Sequence, residues 1–117
     1  MAEFEPINFK RGFLPLIILS LLAQEDMYGY QLVQQIAKQS EGKFLTKEGS
    51  LYPVLYKLLE GEFISTYEVK AGVRMRHIFY HLEEKGKEYL AFLKGQYNGM
   101  TGAIQHILDQ GGEKNHE

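Results

Sequence analysis

Neither cysteine nor tryptophan occurs in the chain, proline occurs three times, and the formal net charge is only −2. Without cysteine there is no disulfide and no thiolate metal site, which fits a reducing, cytoplasmic setting. Without tryptophan, an aromatic ligand would have to be met by Tyr, Phe or Met. The small negative charge excludes a polybasic tail and an indiscriminate nucleic-acid coat. Long hydrophobic runs are also missing: FLPLIILSLLA, Phe13 to Ala23, has 11 residues, against about 20 for a membrane-spanning helix. A signal peptide is disfavoured by the acidic start and by the lack of a small-x-small cleavage site. No membrane partner is therefore expected.

What is present suits one globular domain: 117 residues, 44% hydrophobic and 24% charged, enough for a modest core that a partner subunit would help. Charge is unevenly placed. Residues 1–37 carry two basic and four acidic side chains, residues 38–76 seven and five, and residues 77–117 four and six. A locally basic centre on an acidic protein suits a sequence-selective binder, with enough charge to hold phosphates but not to stick everywhere.

Residues 1–9 read as a mobile or loosely docked arm. The run from Phe13 to Ala23 then predicts a buried first helix, with Pro15 in its first turn and apolar residues covering more than one face. A second helix is expected from Tyr28 to Ser40, with Leu32, Val33, Ile36 and Ala37 inward. A Gly42-containing link leads to TKEGSLYPVLYKLLE, Thr46 to Glu60. There Leu51, Leu55, Leu58 and Leu59 form an inward stripe, while Ser50, Pro53 and Lys57 line the other side with Tyr52 and Tyr56 beside them. Because proline is cheap only in a first turn, the regular helix is expected to start near Gly49 or Ser50. Two helices, a short polar link and a third helix with a polar-aromatic face make a helix-turn-helix layout.

GEFISTYEV (61–69) and RMRHIFYHL (74–82) are rich in β-branched and aromatic residues, and the 70–73 link closes them into a hairpin. Arg74, Arg76, Ile78, Tyr80 and Leu82 alternate onto one face, apolar at the base and cationic at the tip. A DNA-binding wing has that polarity: packing anchors the base and guanidinium groups meet the backbone or a minor groove.

Together GFLPLIILSLL, MYGYQL, EGSLYPVLYKLLEGEFIS and RHIFYHLEEKGKEYL resemble the PadR family of winged helix-turn-helix transcriptional regulators, from Lys10 to about Leu93. The resemblance implies a dimer formed by the first and last helices and DNA contacts from the third helix and the wing. Repression relieved by a small molecule is also implied. Ser50, Tyr52, Pro53 and Lys57 match the recognition-helix segment, Arg74 and Arg76 the basic wing, and Gly29 and Tyr30 the second-helix signature. Glu83 departs from the pattern, where Thr is expected, yet a carboxylate is favourable at a helix N-terminus.

From Glu83 onward, Leu90, Leu93, Tyr97, Met100, Ile104 and Ile107 are spaced 3, 4, 3, 4, 3, a helix-packing seam best used against a second copy. Gly95, Gly99 and Gly102 lie on another side, where each costs about 1 kcal/mol relative to Ala. They suggest close approach of a neighbouring helix or room for a ligand. Residues 111–117 read as a disordered tail.

No nucleophile elbow, phosphate-binding loop or close carboxylate pair is evident. His77 and His81, four apart, would sit about 13 Å apart on a strand, too far to chelate. No enzyme, metal or cofactor is expected.

The fold expected is mainly α with a small β-hairpin. An arm (1–9) precedes a winged helix-turn-helix domain (10–82), a C-terminal dimerisation helix (83–110) and a tail (111–117). The function expected is a homodimeric repressor on an inverted-repeat operator of double-stranded DNA. Lys57, Arg74, Arg76 and the weaker candidate Lys47 would hold phosphates, while Ser50, Tyr52 and Pro53 approach bases. A small hydrophobic or aromatic effector would lie near Tyr97 and Met100. A protein-protein adaptor and a ligand-binding dimer without DNA function are the alternatives.

Overall fold

The computed structural model describes Phe4 and residues 10–114, in the order α1 (Lys10–Gln24), β1 (Met27–Tyr28), α2 (Gly29–Gln39), α3 (Glu48–Glu60), β2 (Ile64–Ala71), β3 (Met75–Leu82) and α4 (Glu84–Lys114). The expected arm thus lies outside the described residues except for Phe4, as do the last three residues of the expected tail.

The apolar run of α1 buries Leu14, Ile18, Leu19, Leu21 and Leu22, and around it close Leu32 and Ile36 of α2 and Leu51, Leu55 and Leu58 of α3. Helical spacing explains each set, since positions three and four apart share a face. The first helix thus serves as the central pillar. The Tyr28 N–H, at the head of α2, donates to the Gln31 side chain at 3.1 Å. After α2 the chain reverses through Glu41 and Gly42, both at positive φ (55° and 79°). The Gly42 N–H closes on the Ala37 carbonyl at 2.7 Å, and Ser40 Oγ accepts the Phe44 N–H at 2.9 Å.

Both helical prolines lie deeper than expected. Pro15 and Pro53 fall inside their helices, which begin at Lys10 and Glu48, so neither occupies a first turn. For α3 the reason is visible: the Lys47 carbonyl already accepts from the Ser50 and Leu51 N–H groups at 3.0 and 3.1 Å. Pro53 then leaves the Gly49 carbonyl without a helical donor, and Gly49 is exposed to water that can supply one.

The sheet is antiparallel in the order β1-β3-β2, with Met27 opposite Tyr80 and Tyr28 opposite Phe79 on one side of β3. On its other side the hairpin pairs from Ile64 opposite Leu82 out to Ala71 opposite Met75. The first strand starts later and ends two residues further on than expected, and the second starts one residue later, so the turn falls at residues 72–74 and Arg74 lies in it rather than on the strand. Gly72, at φ 85°, supplies the left-handed backbone of that turn. Burial along β3 falls as anticipated: Leu82 and Tyr80 are buried, Ile78 and Arg76 exposed.

Glu83 precedes α4, but its carboxylate is held by Ser65 Oγ at 2.5 Å. The last helix runs unbroken through Gly95, Gly99 and Gly102 to Lys114, so residues 111–114, expected in a disordered tail, are helical. Its 31 residues correspond to about 46 Å. The radius of gyration of 17.8 Å exceeds the roughly 13 Å of a compact chain this long, because the C-terminal half of α4 projects from the body. Among the described residues no helix is long and apolar enough to cross a membrane.

Candidate nucleic-acid interface

The helix α3 presents Lys47, Ser50, Pro53, Tyr56 and Lys57 to solvent, with Lys47 just ahead of its first turn. Four of these match the expected set. Tyr52 does not: it is half-buried against the core, its ring beside Gly29, and its hydroxyl donates to the Glu48 carboxylate at 3.1 Å. Burial, then the hydrogen bond to Glu48 and its charge, push the phenol above its usual range. The ring that reaches outward is Tyr56, 61% exposed and stacked near Tyr52 with centroids 6.2 Å apart. A helical step of 100° places position 56 with Pro53 rather than with the leucine stripe, so this residue was open to sequence reasoning.

The hairpin tip carries Lys70, Arg74 and Arg76, all exposed. Lys70 pairs in register with Arg76, an alignment that becomes visible only once the strand register is known. The Arg76 guanidinium lies 3.7 Å from the Glu68 carboxylate, with both side chains more than half exposed, a weak pair that a phosphate could replace. At its root the hairpin is fixed by a polar cluster absent from the sequence expectations. Asp26, between α1 and β1, accepts the Tyr67 hydroxyl at 2.7 Å through one oxygen and meets His81 Nδ1 at 2.8 Å through the other. Burial of Asp26 works against ionisation. The hydrogen bonds from Tyr67 and His81, with the His81 charge, outweigh it and hold the carboxyl below its usual range. The Asp26 bond is the leading cause that raises the Tyr67 phenol. His77 instead stacks on Tyr28 at 4.3 Å, so the two histidines serve separate contacts.

The expected dimerisation seam divides into two parts. Leu90 is buried in this chain's own core with Leu93 packed against it, and Tyr97 meets Phe13 edge-on at 5.5 Å. Leu90 is therefore not free to meet a partner. Met100, Ile104 and Ile107 continue the same face, 50% to 69% exposed, joined by Leu108. Tyr97 and Met100 line one side of a groove of about 720 Å³ between α1, α2 and α4, together with Phe13, Ile17, Phe44 and Ile104. The close approach sought at Gly95, Gly99 and Gly102 does not occur within the chain: a Cβ at each would meet nothing within 4 Å. Among the described residues, no group of three or more His, Asp or Glu could hold a metal.

The model of the transcriptional regulator PadR-like family matches residues 18–92. The chain belongs to the PadR family of transcriptional regulators. Uncharacterized protein X of Lysinibacillus sphaericus is 35% identical over 99 residues, covering 85% of this chain and 87% of the relative. Transcriptional regulator YqjI of Escherichia coli is 32% identical over 82 residues, covering 70% of this chain but 38% of its own length. Among solved structures, a Clostridium thermocellum transcriptional regulator superposes with a TM-score of 0.77 at 26% identity, covering 83% of this chain and 94% of its own. Bacillus subtilis PadR, solved in complex with operator DNA, gives a TM-score of 0.62 at 27% identity, covering 67% of this chain and 44% of its own. Within this PadR-family chain, α2 and α3 are the paired helices of the winged-helix fold and β2–β3 form the wing.

Proposed function

We propose that this PadR-family chain is a homodimeric repressor that binds an inverted-repeat operator and is released by a small hydrophobic or aromatic effector. The observation that carries the reading is the exposed outer face of α3, with Ser50, Pro53, Tyr56 and Lys57, on the same chain as the exposed cations Lys70, Arg74 and Arg76 of the wing tip. In this reading the cations hold phosphates and fix register, while Ser50, Pro53 and Tyr56 approach sugars and base edges. Tyr52 acts indirectly by seating α3 on α2. Lys47 is a further phosphate candidate at the head of α3.

Two such heads need a scaffold that sets their spacing at about 34 Å for successive major grooves on one face of the duplex. The unpacked apolar face of Met100, Ile104, Ile107 and Leu108 supports a second copy in that role. An effector in the groove beside Tyr97 and Met100 would act by favouring a dimer whose heads no longer match the operator, since only differential affinity for two arrangements moves the equilibrium. DNA recognition is a binding process, and the reading assigns no catalytic step. It places the protein with its DNA in the cytoplasm.

The test is a titration of the purified protein against duplex DNA from its own upstream region and a scrambled duplex, at several salt concentrations. Preference for the native duplex by about 1,000-fold or more, with affinity falling steeply in salt, is the expected outcome. Equal binding to both duplexes, or none, would overturn it.

A further inference from the structure

The hairpin β2–β3 is held to the rest of the sheet by little backbone. Among the described residues, β1 pairs with β3 through Met27 and Tyr28 alone, and beyond the Tyr67–Phe79 pair four further pairs extend with no third described strand beside them. At that departure point stands Asp26, with one carboxylate oxygen on Tyr67 of β2 and the other on His81 of β3. The rings around it lock to each other: Tyr67 stacks on Phe79 at 5.6 Å, and Tyr28 meets Phe79 edge-on at 5.4 Å. Ser65, opposite His81 in register, donates its hydroxyl to Glu83, so the hairpin's root is also fastened toward α4.

We infer that Asp26 is a positioning residue for the wing: it clamps both strands where the hairpin leaves the body and so sets where the basic tip meets DNA. The inference rests on the wing being a DNA contact. The Asp26 and His81 side chains are 32% and 48% exposed, and such pairs contribute little to global stability. Their geometric effect is larger. The tip at Val73 lies about 20 Å along the strand from Phe79, so a rotation of about 5° at the clamp moves it by about 2 Å. A displacement of that size takes a guanidinium out of hydrogen-bond range of a phosphate.

A double-mutant cycle tests this on the full chain with duplex DNA from its own upstream region, each variant first checked by thermal melting. Asp26→Ala should weaken binding by about fivefold or more, and Asp26→Asn by less than about twofold, because Asn can still accept from Tyr67 and donate to His81. In a wing-null background, Arg74→Ala with Arg76→Ala, Asp26→Ala should add less than about twofold. A general loss of folding would weaken both backgrounds alike, and that result overturns the inference. So does an Asp26→Ala protein that binds like wild type while the wing-null protein is weakened. Wing-null binding equal to wild type would instead remove the wing as a contact, and the inference with it. Should Asp26→Ala fail to fold, Tyr67→Phe removes one of the two bonds and is read through the same cycle.

Discussion

Gly86, in the first turn of α4, lies so close to Phe63 that a Cβ would overlap the Phe63 carbonyl oxygen and come within 2.6 Å of Leu82 Cδ1. That carbonyl also accepts the Glu83 N–H at 3.1 Å, so moving it away would break the junction between hairpin and helix. Gly86→Ala should therefore cost more than about 2 kcal/mol, despite the better helix propensity of alanine. Urea denaturation measures it, and a midpoint equal to wild type would show that the junction can yield.

Gly95 and Gly102 behave in the opposite way. With nothing within 4 Å of either added Cβ, alanine brings only its propensity, up to about 1 kcal/mol each. Both also lie roughly opposite Ile104 on the helix, away from the apolar face. The double variant Gly95→Ala, Gly102→Ala should melt at a higher temperature with its oligomeric state unchanged. Loss of association on sedimentation would restore the idea that a neighbouring helix passes over these glycines.

The contrast among these glycines shows where sequence reasoning reached and where it stopped. Periodicity exposed the leucine stripe of α3 and the inward set of α2, because burial on one face imposes a spacing that neighbouring residues record. It also exposed the polarity of the wing, from Leu82 and Tyr80 to Arg76. It could not separate Gly86 from Gly95, since the difference lies in Phe63, 23 positions away. The strand β1 was hidden for a similar reason: two residues, Met27 and Tyr28, carry no period, and β3 alone makes them a strand. Tyr52, expected to face the DNA, is the ring that Gly29 receives, whereas helical phase alone already points to Tyr56 as the outward one. Pro53 misled about where α3 begins, because the exposed Gly49 carbonyl can turn to water when its helical donor is missing. Asp26 gave no signal, its partners being 41 and 55 residues distant.

Asp26 should leave a mark on the pH dependence of stability. Its carboxyl titrates below the usual value of 3.8 in the folded chain, so the unfolded state binds its proton first as pH falls. The stability it contributes is present above the unfolded value and is lost as pH drops through the folded one. Chemical denaturation should show wild type more stable than Asp26→Asn at about pH 5, with the gap closing from about pH 4 downward. A gap that widens there would mean that the carboxylate is not the favoured form in the folded protein.

For the outer face of α3, Lys57 and Tyr56 should separate by salt. Each phosphate neutralised contributes about 0.9 to the slope of log affinity against log salt on duplex DNA, so Lys57→Ala should flatten the slope by about one unit. Tyr56→Ala should weaken binding with the slope intact, since a ring displaces no counterion. Tyr52→Phe should leave both unchanged, its hydroxyl being engaged with Glu48. An unaltered slope in Lys57→Ala would remove that lysine from the phosphate contacts.

The projecting half of α4 gives the sharpest test of assembly. Ile104 is 50% exposed and lies beyond the stretch where Leu90 and Leu93 tie the helix to the core, so a change there leaves the folded protomer intact. In a dimer closed over this face the same side chain becomes buried, and a carboxylate put in its place would have to be desolvated without a partner, a penalty of several kcal/mol. Ile104→Glu should therefore sediment as a monomer while keeping the circular dichroism of the wild-type helix. It should also lose most of its affinity for the full upstream duplex, because two linked heads bind far more tightly than one. Persistence of the dimer in this variant would place the interface elsewhere on the chain and leave the exposed row of Met100, Ile104, Ile107 and Leu108 without a role in association.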